Sequence, residues 1–519
     1  MNIQQAKEEI IHTVKIYTEK NEEGQYVIPA VHQRPVLLMG PPGIGKTAII
    51  SQAAEECGVA LVAYTITHHT RQSAVGLPVV ITKEYGGKTV SVTEYTMSEI
   101  IASVYEAIEQ TGIQEGILFI DEINCVSETL TPTILQFLQN KTFGTHKVPA
   151  GWIIAAAGNP PEYNRSARIF DIVTMDRVKN IVIEEDFPVW KAYALQRNVH
   201  GAILSYLSSK TQNFYYIEDA RGDREFVTAR GWEDLSVFLQ AYERMNVPVT
   251  ADMIREYIHA EKIALDFFGY YMTYLNYRQT YTMDRVLDGT LAGEELSAQK
   301  KLLAGAPPDE CYSVIQMLLD GLALQIRGHE EKIRLETRKN EIFAQIRDLA
   351  SRETHGGCDE LLGGFLEKFE RSVRLKDEHR IITEKDRKTE EKAAYYFSSE
   401  QYRLRSMGIR EAGAGLDELE KHLALQKDVL FAEADSISDA LERAVSFLED
   451  SLGRGEMLGY FLTSLAMDPD AASFLSDHPS GAVLRNRALL ETADEEYALQ
   501  RQIEALRAED EKQDPAEEA

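Results

Sequence analysis

Short apolar runs alternating with amphipathic stretches dominate the first third of the chain. Val36–Met39, Ala60–Tyr64, Ile117–Ile120 and Trp152–Ala156 are each too short for a helix and are rich in Val, Ile, Leu or Ala. Apolar at almost every position, they read as strands buried on both faces. Between them Ala48–Glu56, Ser98–Thr111 and Ser127–Asn140 carry the spacing of helices with one apolar face. This βαβ rhythm predicts a largely parallel sheet covered by helices on both sides.

Past about Ile183 the strand signals stop. Phe187–Ser209, Ala229–Met245 and Thr250–Leu275 predict amphipathic helices, with Thr228 and Thr250 placed to cap two of them. Beyond Tyr281 the pattern is almost wholly helical, broken by glycines near Gly356–Gly357, Gly413–Gly415 and Gly453–Gly455.

Composition narrows the class. A chain of 519 residues is too long for one core, and 44% hydrophobic with 27% charged residues is ordinary globular text. The net charge of −28 argues against a protein that coats nucleic acid. From Tyr281 onward 50 acidic residues face 31 basic ones, a net of −19, against −9 before it. The segment Glu509–Ala519, with six acidic residues and one lysine, predicts a disordered tail. No apolar run reaches membrane-spanning length, since Asp320 interrupts the longest candidate. Met1–Ile10 carries Lys7, Glu8 and Glu9 where a signal peptide would be apolar, and Cys57, Cys125, Cys311 and Cys358 have no paired spacing. A cytoplasmic, reduced protein is expected.

The strongest chemical signal is Gly40-Pro41-Pro42-Gly43-Ile44-Gly45-Lys46-Thr47, a complete G-x-x-x-x-G-K-[ST] pattern between a predicted strand and a predicted helix. Glycines let successive backbone N–H groups turn inward around phosphate oxygens, and the helix N-terminus adds partial positive charge. Lys46 would reach the β- and γ-phosphates of ATP, and the Thr47 hydroxyl would bind Mg²⁺. Ile117-Leu118-Phe119-Ile120-Asp121-Glu122 supplies the second signal. Its two carboxylates stand at the C-terminal edge of a buried strand, where open α/β sheets bind ligands. Asp121 would hold Mg²⁺, through water or through Thr47, and Glu122 would polarise the attacking water. The pair points to ATP hydrolysis rather than binding alone.

At these motifs the chain resembles the AAA+ ATPases. Ala157-Gly158-Asn159-Pro160 follows the fourth predicted strand, where that family carries its polar sensor-1 residue, and Asn159 matches it. Asn159-Pro160-Pro161-Glu162-Tyr163 and Met175-Asp176-Arg177-Val178 are similar to elements of the MoxR-type, dynein-related branch. The resemblance implies that Arg177 is an arginine finger acting on a neighbouring subunit's nucleotide, with Arg165 and Arg168 competing for the role. Thr228-Ala229-Arg230 is similar to the segment whose arginine serves as sensor 2, although Ala229 replaces the usual proline. Arg230 could equally pair with Glu233 or Asp234.

The resemblance spans about residues 25–265. It implies an α/β P-loop NTPase core with a helical lid, followed here by an all-α C-terminal region. The divisions expected are 1–183 for the α/β nucleotide-binding subdomain with an N-terminal helix, 184–280 for the lid, 281–508 for the helical region and 509–519 for the tail. The family further implies a homohexameric ring, a von Willebrand A-domain partner and chaperone-like remodelling of a protein client. The reading is therefore an ATP- and Mg²⁺-dependent remodelling ATPase. A nucleic-acid motor or loader, opposed by the charge, and a slow nucleotide-gated scaffold are the alternatives.

Smaller features stay open at this level. Thr142–Pro149 is short for a pore-facing hairpin, and Thr82–Val92, with Gly86-Gly87 at its centre, is either that hairpin or an ordinary surface one. His68-His69 reads as loop rather than metal pair. Phe267, Tyr270, Tyr274, Tyr277 and Tyr281 form a stripe better suited to packing than to stacking bases. Gln325–Leu349 and Leu416–Asp450 fit either coiled-coil hairpins, with a seam of Ile333, Ile342, Ile346 and Leu349, or a compact helical domain.

Overall fold

The computed structural model describes residues 1–66, 76–126, 130–143, 146–164, 166–220, 223–352, 357–378, 382–425, 427–486 and 489. His68, His69, Arg165 and the 509–519 tail lie outside these described residues. The chain divides into two compact units, the first made of Met1–Val189 with Asp348–Ala412, the second of Trp190–Arg347 with the described residues from Gly413 on.

The first unit contains strands β1 (Val36–Met39), β2 (Ala60–Thr65), β3 (Pro78–Tyr85), β4 (Lys88–Tyr95), β5 (Gly116–Asp121), β6 (Thr142–Phe143), β7 (His146–Lys147), β8 (Trp152–Gly158) and β9 (Lys179–Val182). Helices α1 (Ile3–Thr18), α2 (Lys46–Cys57), α3 (Glu99–Thr111) and α4 (Thr131–Asn140) accompany them. Five strands form one sheet in the order β2-β5-β8-β1-β9, every pair parallel. Its core is double, because side chains alternate across a pleated strand. Leu37, Leu118, Ile120 and Ile154 pack with Ile100, Ile101 and Val104 of α3 and with Ile134 and Phe137 of α4. Val36, Leu38, Phe119 and Ala155 pack on the other side with Ile10 and Val14 of α1 and Ile49 and Ala53 of α2. The expected parallel sheet, covered on both faces, is thus present.

The fifth strand, β9, was not marked by an apolar run. Its residues Lys179-Asn180-Ile181-Val182 bury only Ile181, as an edge position allows. The antiparallel hairpin β3–β4 turns at Gly86 and Gly87, whose φ values of 58° and 77° fit the positive-φ turn that a two-residue hairpin favours. In the same unit, the helices Cys358–Glu378 and Glu384–Ser406 lie against each other.

The second unit is mainly helical, and three details differ from what the sequence predicts. Strands β10 (Tyr216–Ala220) and β11 (Asp223–Val227) pair as an antiparallel hairpin inside the stretch expected to be all helix. Their charged residues, such as Glu218 and Glu225, mask the strand alternation. The expected helix Phe187–Ser209 is two helices, Phe187–Gln196 and Gly201–Ser209. Asn198 takes a φ of 59° between them, and the His200 ring accepts from the Ala202 amide at 3.1 Å to start the second. Thr250–Leu275 likewise divides into Ala251–Arg255 and Glu261–Thr280. Thr228 and Thr250 do cap, each accepting from the amide three residues on at 3.3 Å.

The aromatic stripe is core. Phe267 meets Tyr206 and Trp232 with ring centroids 5.2 and 5.3 Å apart, and Tyr270 shares a 2.9 Å hydrogen bond with Ser313. The long helix Pro308–Arg352 and the helix Lys427–Leu452 surround a compact core that includes Val314, Leu318, Leu322, Leu441 and Phe461. Ile333 is exposed, so the coiled-coil seam it was meant to begin does not form there. Among the described residues no helix is long and apolar enough to cross a membrane, and the four cysteines are unpaired.

Candidate nucleotide site

Strand β1 ends at Met39 beside Gly158, the last residue of β8. The chain then turns through Gly40, where a β-carbon would stand 2.6 Å from the Ile183 carbonyl oxygen, so only glycine fits the approach. Gly43 and Gly45 have φ values of 74° and 98°, and α2 begins directly after them. The eight residues from Gly40 to Thr47 therefore form a strand–loop–helix with the helix N-terminus at its mouth.

Lys46 is buried to 8% exposure. Its ammonium donates to the carbonyls of Gly40 at 2.9 Å and Pro41 at 2.7 Å, and to Asn159 Oδ1 at 2.8 Å. The third contact follows from register. Since Met39 pairs with Gly158, residue 159 emerges next to the loop. Thr47 Oγ1 donates to Asp121 Oδ2 at 2.8 Å. Lys46, Thr47, Asp121 and Asn159, from three segments distant in sequence, thus meet at the C-terminal edge of the sheet. Residues 36–175 match the family described as "ATPase family associated with various cellular activities (AAA)". The chain carries an AAA ATPase domain.

No curated protein matches the chain. Among solved structures, a candidate ATPase from Cytophaga hutchinsonii matches with 13% identity and a TM-score of 0.24. The match covers 38% of this chain and 50% of that one, so the chain spans half the length of that solved protein.

Within the AAA domain Glu122 follows Asp121 in an unusual backbone state, with φ of 56°. Its amide donates to Asp121 Oδ1 at 2.9 Å, and the next amide, of Ile123, donates to the Ala157 carbonyl at 2.9 Å. The turn is pinned to β8 while the Glu122 side chain stays half-buried. Oxygen-rich Thr47 and Asp121, already in mutual contact, suit a hard cation such as Mg²⁺. No cluster of three or more His, Cys, Asp or Glu forms another metal site among the described residues.

Arg177 lies elsewhere. It precedes β9, whose Lys179 pairs with Val36 at the start of β1. Parallel strands place residue 177 at the edge opposite the phosphate loop, roughly 13 Å of strand away at 3.3 Å per residue. It is exposed and lines a cleft of about 430 Å³ with Arg34, Pro35 and Asn140. The nearby Asp171 caps the short helix Ile172–Met175. Its carboxyl is held below the usual range first by its bonds to Thr174 and then by the Arg177 charge. Arg168 is exposed, and its amide donates to the Asn124 carbonyl at 2.9 Å.

Arg230 belongs to the second unit, exposed in the first turn of the helix Ala229–Met245. Neither Glu233 nor Asp234 forms an ion pair with it among the described residues. Glu233 instead accepts from Trp190 Nε1 at 3.0 Å and from the Tyr193 hydroxyl at 3.4 Å. Asn124, which no sequence motif singles out, is 1% exposed and its side-chain amide donates to the residue 159 and residue 168 carbonyls.

Proposed function

We propose that the protein is an ATP-hydrolysing remodelling machine of MoxR type, working as a ring of copies of itself on a protein client with a von Willebrand A-domain partner. The observation that carries the hydrolytic part is the meeting of Lys46, Thr47, Asp121 and Asn159 at one strand edge. The MoxR assignment rests on the two motifs around Asn159 and Arg177.

In this reading residues Gly40 to Thr47 cradle the phosphates of ATP, and Lys46 exchanges its bonds to the Gly40 and Pro41 carbonyls for phosphate oxygens. Thr47 and Asp121 would hold Mg²⁺, which would supply positive charge to offset that of the phosphates. Glu122 takes a proton from the attacking water, and Asn159 fixes the position of that water. Arg177 serves a neighbouring copy, because its own strand separates it from its own loop. Arg230, in the lid segment 184–280, keeps the sensor-2 role that the resemblance implies, and the helical region 281–508 bears the client or partner surface.

Four measurements test this. Lys46→Ala should weaken ATP binding roughly a hundredfold, from loss of a charged hydrogen bond. Arg177→Ala should bind ATP normally yet lose about a thousandfold or more in turnover. Mixing the two variants should restore activity at interfaces where an intact arginine meets an intact loop. Absence of recovery would refute the ring reading, and stimulation of turnover by DNA or RNA would refute the protein client.

A further inference from the structure

We infer that Asn124 is a positioning residue that locks the turn carrying Glu122 to the segment carrying Arg168 and Arg177. The inference rests on the hydrolytic reading above and adds a residue outside both the Gly40–Thr47 loop and the Asp121-Glu122 pair.

Asn124 stands two residues after Glu122 and is 1% exposed. Its side-chain amide donates to the Asn159 carbonyl at 2.7 Å and, more weakly, to the Arg168 carbonyl at 3.4 Å. Its own backbone carbonyl accepts from the Arg168 amide at 2.9 Å. Both side-chain partners are acceptors, so this end of the residue must be the NH₂ group. Asn159 in turn accepts the Lys46 ammonium through Oδ1 at 2.8 Å. A single buried amide therefore joins the Glu122 turn, the residue that touches the phosphate lysine and the chain leading to Arg177.

The close packing around it is specific. A β-carbon on Gly158 would stand 2.5 Å from Asn124 Oδ1 and 2.9 Å from its Cγ. Glycine at 158 is what lets the amide lie against the end of β8. Aspartate at 124 would turn a donor into an acceptor facing two carbonyls, and alanine would leave both carbonyls without that donor. Neither change touches the Gly40–Thr47 loop.

The consequence is directional. Glu122 is assigned to the subunit's own nucleotide and Arg177 to the neighbour's, so Asn124 ties together groups that serve two different sites. Loss of the amide should damage both.

The test uses the full chain and its ATPase rate, with ATP affinity measured by a fluorescent ATP analogue. Asn124→Ala, Asn124→Asp and Gly158→Ala should each keep Kd within about threefold and lower kcat roughly 10–100-fold, as small misplacement of reacting groups does. Asn124→Ala mixed with Lys46→Ala should not recover, because Glu122 of the Asn124→Ala subunit is misplaced. Mixed with Arg177→Ala it should not recover either, because its arginine segment is misplaced. Recovery in either mixture overturns the two-site coupling. Loss of ATP binding alongside turnover makes Asn124 merely structural and also overturns the proposal. If Lys46→Ala and Arg177→Ala fail to complement each other, the ring reading falls, and Asn124 is then judged by the kcat-against-Kd split alone.

Discussion

Glu122 offers a test in which backbone strain and chemistry separate. Its φ of 56° is a conformation that costs a residue with a β-carbon about 1–2 kcal/mol. The turn is kept there by the Glu122 and Ile123 amides and by the Cys125 amide, which donates to the Glu122 carbonyl at 2.9 Å. Replacing Glu122 by alanine or glycine deletes the same carboxylate, so any side-chain contact is lost equally. Only glycine also relieves the strain, while its freer unfolded chain returns about 0.5–1 kcal/mol of that gain. The glycine variant should therefore be the more stable of the two by about 0.5–1 kcal/mol, equivalent to a melting point higher by roughly 1–4 °C for a unit of this size. Thermal and urea unfolding of both variants, side by side, measures the difference. A glycine variant that melts at or below the alanine variant would refute the strain argument. Glu122→Gln supplies the chemical arm: it keeps shape and strain, should melt with the parent and bind ATP normally, and should lose 10²–10⁴-fold in turnover, about the range for a general base. Wild-type ATPase rates in that variant would sink the assignment of Glu122 as the base.

Buried charges in the second unit make further expectations. Lys191, 6% exposed, donates to Ser464 Oγ at 2.8 Å and lies 3.8 Å from the Tyr460 ring centroid, and burial lowers its pKa to about 7. The unfolded chain then binds the extra proton between about pH 7 and 10.5, so this group's penalty is full below 7 and fades as pH rises. Lys191→Met should stabilise by a few kcal/mol at pH 6 and by much less at pH 10, read from urea midpoints. Asp320 shows the opposite sign, since burial raises its pKa to about 6 despite the Gln316 amide at 2.8 Å. The folded state holds the extra proton between about pH 4 and 6, so stability falls as pH rises through that window. Asp320→Asn should gain up to about 3 kcal/mol at pH 8 and nothing at pH 3. Thr228→Ala, which removes the cap on the Ala229–Met245 helix, should cost about 1 kcal/mol in the same assay.

Much of this was legible because burial on two faces writes itself into composition. β1, β5 and β8 are central strands, and their unbroken apolar runs marked them. β9 and the β10–β11 hairpin were not legible for the converse reason. An edge strand needs one buried side chain, Ile181, and the hairpin carries charged residues, such as Glu218 and Glu225, that fit a helix equally well. The break at Asn198 was hidden because its positive φ sits on a residue that helical patterns tolerate. The phosphate loop was readable residue by residue, since glycine placement there is dictated by close approach. Asn124 was not, because its partners are backbone carbonyls at residues 159 and 168, which have no sequence signature.

Strand direction accounts for which candidate groups can act together. In a parallel sheet all strands run the same way, so residues that end or follow β1, β5 and β8 gather at one edge and residues preceding β9 gather at the other. Lys46, Asp121 and Asn159 belong to the first set, and Arg177 to the second. No side-chain rearrangement moves a residue across the sheet while the register Val36 to Lys179 and Met39 to Val182 holds. An arginine that acts on phosphate from the second edge must act on another molecule's phosphate. The turnover of the protein should therefore depend on its own concentration, rising more steeply than linearly until assembly is complete. Dilution below the assembly range should depress specific activity in the parent, but change nothing in Arg177→Ala, which on the proposed ring reading lacks the group a neighbour would supply. A specific activity constant across a hundredfold dilution, in protein shown by light scattering to be monomeric, would place the catalytic cation within the chain itself and remove Arg177 from the mechanism.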